Sequence, residues 1–577
     1  MTSLTELLKN VFKPGRYIGE ETNISKKKFT QDKLNIVLGY PDIYEVGMSY
    51  LGFKILYHLL NEHEDIICER VFSPWPDMEL ELRKNNKKLF SLESKIDINK
   101  FDILGVSLSY ELTYSNVLNL LDLSGIPVLS ADRGEESPIV MAGGATSYNP
   151  EPMSMFIDVF FFGDAEEALP VLCEKILEFK NKKYSRKQKL EAISQLTGVY
   201  VPSMYIPQYD KNIFVGLKKI NDKAPDKIFK NTISSLEKAY YPTKQIVSLI
   251  RTVHDRMSLE IMRGCPHACR FCQASSTSGP VRLRSVEKLV ELAEKTYRST
   301  GYSQISLLSL SSANYPHLKE LIQSINRALG RFGVGLSIPS LRVTEAFYDM
   351  PELLSVVKKA GLTFAPETAD IETQKNIGKY TDIEVLCKSA RQAYKSGWTN
   401  IKLYFMVGLG GNIENETEGI WDWANKISME KRSFSKKPGE IKLSINPFIP
   451  KPHTPFQWKG MADYQSICDV KKKLVARSSR RIYVEFNDID KAVLEAALSR
   501  GERSVGNAIY TAWQRGAKMD SSSEYFNFAI WKKAFEDNGK DIFAQAVKSY
   551  SIDSILPWSH VNVNLNIDAL KEEYLKS

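Results

Sequence analysis

Apolar positions along this chain set up two strand-and-helix stretches and a helical tail. From residue 31 to 178, short apolar runs alternate with segments of helical spacing. Leu34-Asn-Ile-Val-Leu-Gly39 predicts a strand, and Leu51, Ile55, Leu56 and Leu59 form a stripe on one helix face. Ile103–Ser107, Ile126–Leu129, Ile139–Ala142 and Asp158–Phe162 read as further strands, with helices at about 115–123 and through Cys173 and Leu177. This alternation predicts a doubly wound, Rossmann-like α/β domain with a parallel sheet. Such sheets bind ligands at the carboxyl ends of their strands, where the strand order reverses. Three loops are placed there: Asp42 to Gly47, Ser107 to Tyr114, and Gly143 to Pro150.

The second stretch spans residues 246 to 460. The runs at Met257–Met262, Gln304–Leu310, Gly335–Val343, Gly361–Thr368, Asn400–Leu409 and Lys442–Asn446 are separated by helical patterns such as Val286–Tyr297. Six strands cycling with helices predict a partial (β/α)6 barrel. Period-two alternation puts Lys402 and Tyr404 on one strand face. The segment Pro447-Phe-Ile-Pro-Lys-Pro-His453-Thr-Pro-Phe-Gln-Trp458 is too proline-rich for a helix or central strand and reads as a rigid loop at the barrel mouth. His453 reads there as a structural histidine ahead of an acid or base. Residues 461–577 carry helical patterns at 464–476, 489–500, 504–515, 526–535 and 542–550, a helical C-terminal cap over the barrel's open side. Residues 179–245 read as a linker with a small ribbon, and residues 1–30 as an N-terminal arm.

Composition narrows the class. A chain of 577 residues holds two to four domains, and 43% hydrophobic with 25% charged residues is a globular balance. No apolar run reaches the ~18 residues of a membrane span, and the N-terminus lacks a signal-peptide core. A cytoplasmic location with reduced thiols is expected. The net charge of +8 hints only faintly at an anionic partner. RNA fits that charge, but no segment argues for it, and the basic stretch Lys180 to Gln195 reads as a solvated helix.

Chemistry concentrates in Arg263-Gly-Cys265-Pro-His267-Ala-Cys269-Arg-Phe271-Cys272. Three of seven cysteines lie in a C-x3-C-x2-C spacing. Soft thiolates select iron–sulfur clusters, zinc or copper. His267 could complete a structural zinc site, but it lies between the first two cysteines, and no second Cys or His pair follows at zinc-ribbon spacing. Three thiolates on a 4Fe–4S cluster leave one iron open for reaction.

This loop, delivered by an apolar strand and with Phe271 before the last cysteine, resembles the radical S-adenosylmethionine (SAM) superfamily. The resemblance implies that Cys265, Cys269 and Cys272 hold a 4Fe–4S cluster. It also implies that SAM binds the open iron and is cleaved reductively to a 5′-deoxyadenosyl radical. It points to Phe271, Ser309, Ser311, Arg342, Glu367 and Gly408 as SAM-binding, although the usual glycine-glycine-acid form at the second strand is absent. The first domain, the Tyr44-Glu-Val-Gly-Met48 turn, the Ser311-Ser-Ala-Asn-Tyr315 stretch and the 447–458 loop together resemble radical SAM proteins with an N-terminal cobalamin-binding-like domain. Asp42, Tyr44, Gly47, Ser107, Gly143 and Gly144 are the corresponding cobalamin-binding positions. Here the pattern departs: cobalamin domains often carry D-x-H-x-x-G, and Tyr44 stands where the cobalt-ligating His would be. The leading expectation is cobalamin-dependent methyl transfer to an unknown substrate, with an electron donor such as flavodoxin or ferredoxin as partner. One rival is a cobalamin-independent radical SAM enzyme doing a rearrangement or a methylthiotransferase-like modification of RNA or protein. Another is a non-catalytic iron–sulfur sensor. No catalytic side chain beyond the cofactor ligands is assigned.

Overall fold

The structure, a computed structural model, describes residues 4–211, 213–338 and 362–577. Strands β1 (Leu34–Tyr40), β2 (Ile66–Phe72), β3 (Ile103–Ser107), β4 (Ile139–Gly143), β5 (Val159–Phe161) and β6 (Val199–Tyr200) form one sheet in the order β2-β1-β3-β4-β5-β6. The first five are parallel and β6 runs antiparallel to β5. Every residue of β1 and β2 is buried, as expected where helices cover both sheet faces. The doubly wound expectation describes this domain.

Two details differ from the pattern reading. β2 carries Glu69 and Arg70 at its centre, which hid it among charged residues. Arg70 is fully buried and pairs with Glu21 at 2.8 Å and Glu93 at 2.7 Å, so its charge is balanced inside the fold. Ile126–Leu129 is an irregular, bent stretch rather than a strand. Pro127 has no N–H for a ladder, and its carbonyl instead accepts a hydrogen bond from Arg133 Nε at 3.0 Å.

β7 (Tyr205–Asp210) and β8 (Ile213–Lys219) form an antiparallel hairpin, the ribbon expected between the large domains. β9 (Ile228–Phe229) pairs with β19 (Val561–Asn562) near the C-terminus. β10 (Met257–Glu260), β13 (Gln304–Leu308) and β14 (Gly335–Ser337) form one parallel sheet. β15 (Leu362–Glu367), β16 (Asn400–Val407), β17 (Glu440–Pro447) and β18 (Ile482–Phe486) form another. These are the staves of the partial barrel, with helices such as Val286–Thr300, Ile383–Lys395 and Ile413–Met429 between them. Among the described residues the barrel wall has seven strands, one more than the six expected, because β18 comes from the segment read as an all-helical cap. β11 (Met262–Arg263) and β12 (Arg282–Leu283) make a short antiparallel ladder that brackets the cysteine loop.

The C-terminal helices Ile489–Ser499, Val505–Gln514 and Phe528–Asp537 share the core of the first domain. Asn149 Nδ2 donates to Ser499 O at 3.0 Å and Gly501 O at 2.8 Å, and Ser115 Oγ donates to Asp520 Oδ2 at 2.6 Å. This region therefore clasps the first domain as well as adjoining the barrel. Among the described residues no helix is long and apolar enough to cross a membrane.

Candidate functional site

The cysteine loop leaves β11 and returns at β12. Its neck closes at Gly264, whose φ of 88° suits glycine. A Cβ there would stand 2.6 Å from Pro280 O. Cys265, Cys269 and Cys272 are half-buried, and Cys272 starts the short helix Gln273–Ser278. Arg270 N donates to Ile377 O at 2.9 Å, and Phe456 N donates to Arg270 O at 3.2 Å, so the barrel mouth holds the loop from two sides. Among the described residues no three His, Cys, Asp or Glu side chains gather as a single ion requires. Thiolates of a cubane cluster each bind a different iron and need not meet at one point, so three sulfur donors on one loop fit that group. His267 Nε2 faces Asn314 Oδ1 at 2.7 Å.

Of the expected SAM-binding residues, Phe271 lies in this loop and Ser311 reaches it through Asn314. Asn314 Oδ1 also accepts from Ser311 Oγ at 2.7 Å, which ties the exit of β13 to the cysteine loop. Ser309 Oγ and Ser312 Oγ are 2.9 Å apart. Phe271 packs with Ile377, Leu409, Phe448 and Phe456. Glu367 ends β15 with φ 69°, and its carboxylate accepts from Lys379 Nζ at 2.6 Å. Gly408 follows β16 with φ 82° and donates its N–H to Glu416 Oε2 at 3.0 Å. Glu416 is buried, and desolvation raises its pKa. Arg342 lies outside the described residues.

A cavity of about 670 Å³ opens between the first sheet and the first barrel strands. Its deep part is an apolar slot lined by Ile36, Leu38, Leu56, Ile103, Leu169 and Cys173, between β1–β3 and two helices. Its mouth carries Tyr50, Ser107, Gly143 and Gly144 from the first domain, and Ser258, Glu260, Arg263 and Ser306 from the barrel side. This is the β1/β3 reversal point of the sheet, where a ligand is expected. An apolar interior with polar groups at one end is the character of a ligand pocket. At Gly144, φ 122°, a Cβ would stand 2.4 Å from Leu108 O.

Of the six positions expected to face a ligand in this domain, Ser107, Gly143 and Gly144 line the cavity, and Asp42, Tyr44 and Gly47 do not. The turn that carries these three packs inward. The Tyr44 hydroxyl donates to Glu21 Oε1 at 2.8 Å, and its ring sits edge-on to Phe72 at 5.2 Å. Asp42 Oδ2 accepts from Ser521 Oγ at 3.0 Å, and a Cβ on Gly47 would strike the Phe72 ring at 2.4 Å. Tyr50, three residues further on, is the tyrosine at the mouth. His453 is a buried strut: its Nε2 faces Tyr148 O at 2.9 Å, and burial pushes its pKa down to about 4.

Sequence reasoning missed Tyr50, Asp164, Glu166 and Glu260. Glu260 and Arg263 flank the cysteine loop and could have been noted for that alone. Asp164 stands 99 residues before its partner Arg263, and no local pattern announces the contact.

Comparisons with known proteins match two segments of the chain. Residues 52–202 match the family described as radical SAM proteins, N-terminal, and residues 259–424 match the radical SAM superfamily. An uncharacterized protein of Methanocaldococcus jannaschii is 27% identical over 473 residues, which cover 82% of this chain and 89% of that protein. The tRNA-2-methylthio-N(6)-dimethylallyladenosine synthase of Acetivibrio thermocellus is 23% identical over 276 residues, 45% of this chain and 53% of that enzyme. The radical SAM methyltransferase TsrM from Kitasatospora setae, solved with cobalamin and a 4Fe–4S cluster bound, shares the fold over 74% of each chain at 12% identity, with a TM-score of 0.50. With both matched segments meeting at the cysteine loop and its neighbouring cavity, the chain belongs to the radical SAM superfamily.

Proposed function

We propose that this radical SAM enzyme binds a 4Fe–4S cluster, SAM and cobalamin, and transfers a methyl group to a substrate reached through the barrel mouth. The observation that carries the reading is the cavity: an apolar slot at the sheet's reversal point that opens toward the residues flanking the cysteine loop. When bound, the cluster would supply an electron for SAM cleavage and cobalamin a methyl carrier. The chain's own groups do the rest. Cys265, Cys269 and Cys272 would hold the cluster and leave one iron open. Ser311 and Asn314 orient His267 beside the first two cysteines. Glu416 fixes the Gly408 turn, which would lie beside the adenine of SAM. Ser107, Gly143 and Gly144, with the apolar residues of the slot, would hold cobalamin. With Tyr44 packed against Phe72, this chain offers no ligand to cobalt from that turn. A reductant partner is required, and the protein's setting is that of a reducing compartment.

The methyltransfer reading is favoured over methylthio-type sulfur insertion by cysteine placement. Outside the loop, Cys68, Cys173 and Cys387 are buried and Cys468 is half-buried, and the four are far apart in sequence, which favours a single cluster. The test is corrinoid content. Protein made with cobalamin supplied and purified without oxygen is expected to carry near-stoichiometric corrinoid by its visible spectrum, beside iron and sulfide. Leu56→Trp, which fills the slot, is expected to lose the corrinoid and keep its iron. Wild-type protein that cleaves SAM but holds no corrinoid would move the cobalamin-independent reading to the front.

A further inference from the structure

Five charged residues tie the first domain to the neck of the cysteine loop. Arg263 and Arg282 are cross-strand partners on β11 and β12, the two ends of that loop. Both reach the same carboxylate of the first domain. Arg263 Nη1 meets Asp164 Oδ1 at 3.0 Å, and Arg282 Nη1 meets Asp164 Oδ2. Arg263 Nη2 also donates to Glu166 Oε1 at 2.6 Å and its Nε to Glu260 Oε1 at 2.9 Å, so every nitrogen of its guanidinium is engaged. Asp164 additionally accepts from Ile233 N at 3.0 Å. A second tether runs to the loop itself: Lys230 Nζ donates to Thr277 O at 2.9 Å and Gly279 O at 2.8 Å.

The charges nearly balance locally. Three carboxylates, Asp164, Glu166 and Glu260, face Arg263 and Arg282, and the buried Arg284 adds a third cation whose charge Glu260 supports. The cluster therefore has no net demand for an ion of its own. Its bonds are multidentate and largely shielded, the geometry in which charge-assisted contacts fix position. Asp164, Glu166, Glu260 and Arg263 also line the cavity. The groups that bound the ligand space are thus the groups that hold the cysteine loop.

We propose that Asp164, Arg263 and Arg282 are positioning residues through which the first domain sets the geometry of the cysteine loop. They act by holding both ends of the loop on one carboxylate. This rests on the reading of Cys265, Cys269 and Cys272 as cluster ligands, and it does not require cobalamin. The test uses full-length protein reconstituted with iron and sulfide, comparing wild type with Asp164→Asn and Arg263→Lys. The readouts are iron content, the electron paramagnetic resonance spectrum of the reduced cluster with and without SAM, and kcat against KM for SAM cleavage. The expected result is unchanged iron, an altered SAM-induced spectral change, and a kcat lowered by up to ~100-fold, the scale of a small misplacement of reacting groups. Arg263→Lys, which keeps charge but loses the fork, is expected to restore only part of the rate lost in Arg263→Gln. Variants with wild-type spectra and kcat would overturn this proposal alone. Wild-type protein that takes up no iron would overturn it together with the cluster reading. If the variants fail to fold, Lys230→Met tests the second tether, with the same spectral change expected.

Discussion

The two parallel sheets of this molecule are built alike and buried differently. In the first domain, β1 and β2 are buried at every position. In the barrel, β16 alternates: Ile401, Leu403, Phe405 and Val407 are fully buried, while Lys402, Tyr404 and Met406 are partly exposed on the other face. Helices cover both faces of the first sheet, so its chemistry is confined to strand ends and to the slot beside them. The barrel has an outer face against helices and an inner face free to carry polar groups, such as Lys402 above the Tyr404 ring at 4.5 Å. The sheet that is sealed on both sides makes a pocket for a large, partly apolar ligand; the sheet with a free inner face makes room for reacting groups.

Changes in the two regions should therefore separate stability from chemistry. The largest effect is expected at the barrel mouth: Cys269→Ala should lower SAM cleavage by more than ~100-fold, beyond the loss of an outer-shell partner, with an unfolding midpoint close to wild type. Full turnover by that variant would break the assignment. Next, Leu403→Ala on the buried face of β16 should cost about 2–5 kcal/mol in denaturant unfolding. Its neighbour Tyr404→Phe should change stability by less than ~0.5 kcal/mol and act instead on turnover. If both changes weakened folding equally, the contrast between the two faces would be lost.

A third prediction concerns pH. His453 and His560 are buried, and each has its pKa pushed down to about 4 from 6.5. The unfolded chain binds protons at these sites more readily than the folded one, so stability is full above about pH 6.5 and falls as pH drops toward 4. Each group contributes about 1.4 kcal/mol per unit of that window. His453→Gln should flatten the pH profile of the unfolding midpoint between pH 6.5 and 4, at some cost at neutral pH. An unchanged slope would mean that His453 is protonated in the fold. The smallest effect is expected for Glu573→Gln, which removes the ion pair with Arg270 at the edge of the cysteine loop. Glu573 keeps 38% of its side chain exposed, and a loss of no more than ~1 kcal/mol is expected.

Much of the architecture was legible in local pattern. Alternating runs marked most strands of both sheets, and the C-x3-C-x2-C spacing marked the chemistry, because both depend on residues close in sequence. The exceptions have physical causes. β2 was hidden by Glu69 and Arg70, whose burial is tolerable only because Glu21 and Glu93 arrive from elsewhere. β18 was hidden by Glu485 and Tyr483 on its less buried side, in a segment otherwise helical. The turn at Asp42 to Gly47 has the position of a ligand-binding loop but faces the core, because Phe72 and Glu21 take up Tyr44.

By itself the sequence determined the fold class, the order of the domains and the three-cysteine loop, since hydrophobic period and ligand spacing are properties of neighbouring residues. Only the tertiary structure decided which side chains face the cavity, that Tyr50 rather than Tyr44 stands at its mouth, and that Asp164 holds both ends of the cysteine loop. Those outcomes depend on packing and charge pairing between segments about 100 residues apart, which no local period encodes.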